Sequence, residues 1–339
     1  MDLMGQLVRS SYETSLDGVF AKSSKPLALG RDEIKGNTFI MLVAGHDSTA
    51  STTHFMLLYL AGNPATQRRL HRELDELVGD SDPETWDYGE ILKQLMDGMM
   101  GACVNETLRL MPPVPAIPKL ATPNEDQPIV MDGNKYVVPR GTIISLCAAS
   151  VQANPRYWPT KPSRFAPDRS DILDYVPERW IRGADGAQET AGAMAGDEKK
   201  DEQVDGADKE DYGGYQGHDT SAQLFRPETG AFIPFSQGPR ACLGRRIALV
   251  EVIAALAVLL RKHSVELAVD EWASDDEVAR MSREEMAEVY DRARVKKDEV
   301  LRNARSVLAV KLRGQGVALR MVKRGEERFV NWLEGEDNK

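Results

Sequence analysis

The sequence predicts a mainly α-helical protein with small β-sheets. Three long stretches, residues 32–62, 90–111 and 245–260, carry apolar residues between signals that start and stop helices. Between the second and third stretches, short runs rich in β-branched and aromatic residues alternate with proline and glycine turns. Long helices with a few short strands are typical of a helical domain that carries small peripheral sheets.

The first helix is predicted to begin near Asp32 and Glu33, because acidic residues favour the positive end of a helix dipole. Its end is predicted at residues 62–64, Gly-Asn-Pro, and a surface helix follows at residues 65–77. Residues 44–49 of the first helix place an acid beside two hydroxyl groups. Taken alone, this pattern is a polar, capping-type cluster in a core helix.

The helix predicted at residues 90–111 ends at two prolines and carries Glu106 and Arg109 three positions apart. Residues at this spacing share one helix face and can form an ion pair. Such pairs are common on solvated helices, where they contribute little, so a surface pair is the alternative. Short strands are predicted next, at residues 127–131, 135–138 and 143–148.

Two segments differ from the rest in composition. Residues 183–220 contain 11 acidic and 3 basic residues, so we predict a disordered acidic insertion there. Much of the net charge of −10 lies in this segment and not on the folded surface, and we expect no nucleic-acid partner. Residues 272–305 are charged with helical periodicity, and we predict an inserted pair of amphipathic helices.

One loop, residues 235–244, holds a cysteine directly before the third long helix. Backbone N–H groups and the positive end of the helix dipole favour a thiolate at Cys242. No second cysteine or histidine stands at zinc-ligand spacing, since Cys103 and Cys147 are far away in the sequence. A single strong anionic ligand suits a haem iron, whose in-plane ligands come from the porphyrin. An inert cysteine before a core helix is the alternative.

This loop resembles the haem-binding signature of cytochrome P450, F-x-x-G-x-R-x-C-x-G. Its fixed positions are filled by Phe235, Gly238, Arg240, Cys242 and Gly244. The resemblance implies that Cys242 binds the iron of haem b and that Phe235 packs beside the sulfur. It also implies that Arg240 pairs with a haem propionate, and that the two glycines allow close backbone approach to the macrocycle and to the next helix.

The first helix is similar to the P450 helix that carries the oxygen-activation motif, A-G-x-D/E-T-T/S, through residues 44–49. The resemblance implies that Ala44 and Gly45 leave room for dioxygen. It also implies proton delivery by an acid and hydroxyl groups, and the residues expected to act are Asp47, Ser48 and Thr49. Ser48 stands where the family usually has threonine, and it lacks the methyl group that restrains the rotamer. We therefore expect looser proton delivery.

The stretch around Glu106, E-T-L-R-L-x-P-P, resembles the E-x-x-R helix of P450s. In that family the pair is buried and joined by an arginine from a P-E-R-F-like motif, which residues 177–180 resemble. The resemblance implies a network of Glu106, Arg109 and Arg179 that folds the haem-proximal side and retains the cofactor. The loop that follows is expected to line the haem pocket, with plain core packing as the alternative; its candidates are Val114, Ala116 and Ile117.

The fold implied by the resemblance is the cytochrome P450 fold without its N-terminal portion, so that residues 1–339 form a partial P450 domain. The function implied is a haem-thiolate monooxygenase that inserts one oxygen atom from O₂ into an apolar organic substrate. Electrons are expected from NADPH through NADPH-cytochrome P450 reductase or a similar donor. Arg245 and Arg246 could dock that donor, and ordinary solvated charge is the alternative.

The localisation implied is the cytosolic face of the endoplasmic reticulum membrane, although no stretch of the chain is long and apolar enough to act as an anchor. Three cysteines without a pairing pattern indicate a reducing compartment. Two other functions stay open: a truncated, non-catalytic haem-binding remnant of a P450, and a helical scaffold without haem. The joint presence of Cys242, Arg240, Glu106 and Arg109 argues against the scaffold.

Overall fold

The computed structural model describes residues 29–182, 223–238, 240–306, 309–314 and 316–329, together with Gly5, Val8 and Arg9. The predicted acidic insertion at residues 183–220 lies outside the described residues. The chain divides into two compact units, residues 1–50 and residues 51–339.

The long helix α1 (Arg31–Gly62) confirms the predicted first helix, with Asp32 and Glu33 in its first turn. Its residues in the first unit are all partly or fully exposed. Burial along α1 begins at Ser51, whose hydroxyl donates to the carbonyl oxygen of Val310 at 3.0 Å. The remainder of α1 therefore belongs to the core of the second unit.

The second unit is built mainly from helices that pack around α4. The helices that follow α1 are α2 (Pro64–Leu77), α3 (Tyr88–Asp97), α4 (Met99–Leu110), α5 (Ala148–Val151), α6 (Arg245–Lys262), α7 (Asp275–Val278) and α8 (Arg283–Arg302). Every residue of α4 from Met99 to Arg109 is buried. Because α2, α3 and α6 all pack against it, α4 is the central helix of this unit.

The strands of the described residues form small antiparallel sheets of two strands each. The pairs are β1 (Ala116–Leu120) with β4 (Ile143–Cys147), β2 (Gln127–Met131) with β3 (Asn134–Val138), β5 (His263–Leu267) with β8 (Leu319–Lys323), and β6 (Arg305–Ser306) with β7 (Val310–Lys311). Long helices with small sheets confirm the predicted fold class.

The single helix predicted at residues 90–111 is wrong, because the chain breaks at Gly98 between α3 and α4. The carboxylate of Glu73 accepts the N–H groups of Met99 and Met100, the latter at 3.0 Å, and so caps α4 from a neighbouring helix. A Cβ atom at residue 98 would collide with that carboxylate. A larger residue at position 98 would therefore displace the Glu73 carboxylate from the N–H groups that it caps.

The segment predicted as an inserted helical pair contains α7 and α8, and α8 is fixed to the core. The Tyr290 hydroxyl donates to the carbonyl oxygen of Ala61 at 2.7 Å and accepts the N–H of Leu267 at 3.1 Å. Each helix begins with a capping box, at Ser274 and at Ser282. Within the described part of the chain, each helix is too short or too polar to cross a membrane.

Candidate cofactor-binding site

The Glu106 carboxylate is the centre of a buried ion cluster in the second unit. Arg109 binds both of its oxygens at 2.8 Å, and Arg179 donates from Nε to Oε1 at 3.0 Å. The indole N–H of Trp180 and the backbone N–H of Val176 complete the set, at 2.9 and 3.1 Å. The structure thus brings together the three charged residues that the sequence grouped, with no exposed surface on the Glu106 side chain.

The two guanidinium groups of this cluster also bind backbone carbonyls. Arg109 donates to Gln152 at 2.9 Å, and Arg179 donates to Pro159 at 2.5 Å and to Asp171 at 3.0 Å. Burial by itself raises the pKa of Glu106, but the two arginines and their hydrogen bonds lower that pKa to about 2. Glu106 is therefore ionised at neutral pH, and the cluster pins α4 to the irregular segment 152–180.

The cysteine loop, residues 233–244, is shaped by its own backbone. Cys242 donates its N–H to the Phe235 carbonyl at 2.8 Å, and Ala241 donates to Gly238 at 2.9 Å. Ser236 and Gly238 have positive φ angles, 61° and 78°. Because a side chain disfavours this conformation, glycine suits position 238, whereas Ser236 adopts it while its hydroxyl accepts a hydrogen bond from Lys119 Nζ at 3.1 Å.

Several side chains of the loop are exposed in the described chain. Cys242 is a free, exposed thiol, and Leu243 and Ile247 beside it are 75% and 56% exposed. Arg240 is exposed and makes no ion pair with another described residue. Phe235 is half-buried and packs against the main apolar core.

These features fit a haem held by one thiolate. An accessible sulfur, neighbouring apolar side chains and a free guanidinium suit a flat apolar ring with anionic substituents. Among the residues that the structure describes, no group of histidine, cysteine and acidic side chains could hold a metal ion by itself. An iron held by Cys242 would take its remaining ligands from a porphyrin.

The predicted close approach of Gly244 to the next helix is not observed. No atom lies within 4 Å of the position that a Cβ would occupy at Gly244 or at Gly238. Gly244 is itself the residue that precedes α6, and the described chain leaves the space beside its α-carbon open. The closeness of Gly244 to a macrocycle or to the next helix therefore stays a prediction.

The predicted proton-delivering residues lie on α1, in the first unit. Asp47, Ser48 and Thr49 are all half-buried, and the Ser48 hydroxyl donates to the Ala44 carbonyl at 2.7 Å. No atom lies within 4 Å of a Cβ position at Gly45. The helix surface at this glycine is therefore open within the described residues, and room for dioxygen there stays a prediction.

The residues proposed to line a substrate pocket differ from one another. Val114 and Ala116 are exposed, whereas Ile117 is buried against Ala148 and Ile233. For Ile117, plain core packing, the alternative, is correct. Ile117 is therefore removed from the candidates for substrate contact.

A comparison with family models decides the assignment of the chain. The cytochrome P450 model matches residues 7–171 and 220–289, more than half of the sequence. The chain belongs to the cytochrome P450 family. The match includes α1, the Glu106 helix and the cysteine loop, and it ends within α8.

Relatives of this P450 come from several organisms. It is 28% identical over 262 residues to a cytochrome P450 monooxygenase of Arthrobotrys oligospora, which covers 77% of this chain and 38% of that protein. It is 31% identical over 236 residues to cytochrome P450 monooxygenase orf5 of Eupenicillium brefeldianum, with 70% and 35% covered. The chain therefore spans little more than a third of the length of these relatives.

A solved structure shows the same fold. The crystal structure of a cytochrome P450, CYP102L1, matches with a TM-score of 0.55 and 16% identity, and it covers 94% of this chain and 55% of that one. This likeness confirms the predicted P450 fold.

Sequence reasoning missed three residues of this P450 site. Trp180 gives the Glu106 cluster an indole N–H, and a buried indole usually finds an acceptor, so its position beside Arg179 was a usable signal. Lys119 and Gln152 gave no such signal, because their partners lie 117 and 81 residues away in the chain.

Proposed function

We propose that this chain carries the haem-thiolate site of a cytochrome P450 monooxygenase, with Cys242 as the iron ligand. The observation that carries the proposal is the exposed, free thiol of Cys242 in a loop whose backbone is fixed on both sides of it. Family membership supports the cofactor class, since a thiolate is the haem ligand that favours O–O cleavage.

Haem bound there supplies the chemistry that reduces dioxygen and transfers one oxygen atom to a C–H bond of an apolar organic substrate. The chain supplies the surroundings. The Arg240 guanidinium neutralises a propionate. Gly238 has no side chain, so the loop backbone can approach the ring closely. The Glu106 cluster holds α4 in place, and Phe235 joins the loop to the core.

Asp47, Ser48 and Thr49 are the residues proposed to hold and pass protons. The Ser48 hydroxyl already donates its proton to the Ala44 carbonyl. Its oxygen can therefore accept a hydrogen bond from a second donor without a change of rotamer. Asp47 is the neighbouring acid that exchanges protons with water. Ser48→Thr is expected to improve coupling of electron use to product, because the added methyl group restrains the hydroxyl.

Electrons come from NADPH through NADPH-cytochrome P450 reductase or a similar donor. Arg245 and Arg246, at the start of α6 beside the cysteine loop, support docking of an acidic partner. We place the protein at the cytosolic face of the endoplasmic reticulum membrane, on the support of family membership alone.

The test is the absorbance difference spectrum of the haem-supplemented chain after reduction and addition of carbon monoxide. The wild type and Cys147→Ala, which removes another exposed cysteine, are expected to show the red-shifted Soret band of thiolate ligation. Cys242→Ala is expected to lose that band. A thiolate band that survives in Cys242→Ala, or its absence from the wild type, would contradict the proposal.

A further inference from the structure

A buried glutamine connects the ion cluster to the cysteine loop. Gln152 follows α5 and has no exposed surface. Its Nε2 donates to the carbonyl oxygens of Leu108 and Arg109, both at 3.0 Å. Its Oε1 accepts the N–H of Ile233 at 2.9 Å. Both donors and the acceptor of the side-chain amide are therefore used.

One end of this connection is the last turn of α4. Carbonyl groups there lack partners inside the helix, and Gln152 supplies two of them with a donor. Arg109 returns the contact from Nη1 to the Gln152 carbonyl at 2.9 Å. Residue 152 is thus bound to the ion cluster through both its side chain and its backbone.

The other end is the first residue of the cysteine loop. Ile233 gives its N–H to Gln152, and its carbonyl accepts the N–H of Ser236 at 3.1 Å. Its side chain packs with Ile117 and Ala148. The loop that carries Cys242 therefore starts from a residue held by three separate contacts, of which Gln152 is the one that leads to the ion cluster.

We propose that Gln152 is a positioning residue, which couples the Glu106 cluster to the cysteine loop and so holds the Cys242 sulfur in place. The role of that sulfur rests on the proposed function, but the coupling itself does not. Loss of the side-chain amide leaves the N–H of Ile233 without its partner, and a buried N–H without an acceptor is costly. The start of the loop is then expected to open more often.

The chain offers a matched control in Gln67, which is also fully buried. Its Nε2 donates to Leu60 and Val265, at 3.3 and 2.9 Å, and its Oε1 accepts the N–H of Val265 at 2.7 Å. Gln67 joins α2 to β5, and among the described residues it makes no hydrogen bond with the cysteine loop. Gln67→Met and Gln152→Met therefore remove the same groups at the same burial from different places.

The experiment is amide hydrogen exchange on the purified full chain, measured at Ala241 and Cys242. Gln152 bonds to neither of these amides. A change in their exchange rates therefore reports a change in the loop, and not the direct loss of the hydrogen bond between Gln152 and Ile233. Gln152→Met is expected to speed exchange at both amides about tenfold, the effect of losing one buried hydrogen bond. Gln67→Met is expected to leave them unchanged, although urea unfolding shows comparable loss of stability in both variants.

A second measurement uses the reduced carbon monoxide spectrum. Gln152→Met is expected to reduce the thiolate band several-fold relative to Gln67→Met. A wild type without a thiolate band would contradict the proposed function. The coupling between Gln152 and the loop could still be tested, because hydrogen exchange needs no haem. If Gln152→Met does not fold, Gln152→Asn, too short to reach both ends, is expected to speed exchange at Cys242.

The proposal is overturned if the Ala241 and Cys242 amides stay as protected in the Gln152 variant as in the wild type. Equal loosening of these amides in Gln67→Met would overturn it too, because the effect would then be one of general stability.

Discussion

The ion cluster and the cysteine loop are held by opposite means. In the cluster, two oxygens of Glu106 receive hydrogen bonds from side chains and backbone, and the arginines are completed by carbonyls. In the loop, backbone bonds fix the chain while Cys242, Leu243 and Arg240 stay exposed. The first region is complete within the described chain, whereas the second presents reactive and charged groups on a fixed frame.

This difference separates stability from chemistry in the molecule. Buried charges with all their partners rigidify a structure, although they add little net stability. An exposed thiol on a fixed loop adds no stability and can bind a metal. We therefore expect mutations in the cluster to affect folding first, and mutations in the loop to affect cofactor binding first.

The largest expected effect is in the cluster. Glu106→Gln keeps the shape of the side chain but removes the charge that two buried arginines require. The expected loss is about 3–5 kcal/mol in the free energy of unfolding, because Arg109 is left as a buried charge without a counter-ion and Arg179 keeps only Asp171, at 3.5 Å. Urea unfolding followed by circular dichroism measures it.

Glu178→Gln is the control, because Glu178 pairs with Arg69 at 3.1 Å in a partly exposed position. Its expected cost is below about 1 kcal/mol. Since the folded pKa of Glu106 lies near 2 and its usual value is 4.5, its contribution is present above pH 4.5 and is lost as the pH falls towards 2. Equal costs for the two variants would contradict the comparison.

A smaller effect is expected at His71, where protonation would place a charge in the buried core of the second unit. His71 is buried, and its Nε2 has no hydrogen-bond partner within the described residues. Burial, and then the nearby Arg324, lower the pKa of His71 from 6.5 to about 4, against the opposing carboxylates of Glu327 and Asp75. The unfolded chain therefore takes up this proton at a higher pH than the folded chain does.

The free energy of unfolding is accordingly expected to fall by up to about 3 kcal/mol as the pH drops from 6.5 to 4. His71→Gln should flatten this part of the curve. Denaturant unfolding at several pH values measures the slope, and an unchanged slope in the variant would show that other groups cause it.

The smallest expected effect is on stability, from alanine substitutions at the two glycines of the cysteine loop. Gly238 has a φ of 78° and no atom within 4 Å of a Cβ position, so Gly238→Ala meets backbone strain without a clash. We expect a loss of about 1 kcal/mol. Gly244→Ala, equally open but without positive φ, is expected to stay within about 0.5 kcal/mol of the wild type. Identical effects in thermal unfolding would contradict the loop geometry.

The sequence predicted the elements whose signals are local. Helix α1 has its acidic start and its Gly-Asn-Pro stop, and the strands β2, β3 and β4 have alternating or β-branched runs between turns. The grouping of Glu106, Arg109 and Arg179 came from a family pattern, since the third residue lies 73 positions from the first.

Features that depend on distant residues were missed. The start of α4 after the break at Gly98 is capped by Glu73, 26 residues before Met99, and the position of Glu73 in α2 gave no sign of a capping role. The bonds of Gln152 to Ile233 and of Lys119 to Ser236 form only when the chain is folded. A polar side chain in a short strand or turn has too many possible partners for the sequence to choose one.

The central claim is that Cys242 is the ligand of a haem iron on a frame that the chain itself builds. X-ray absorption at the iron edge of the haem-supplemented chain tests it most directly, because it detects the ligand atoms around the metal. We expect one sulfur bound to iron in the wild type and in Cys147→Ala, and none in Cys242→Ala. An iron with only nitrogen and oxygen ligands in the wild type would contradict it.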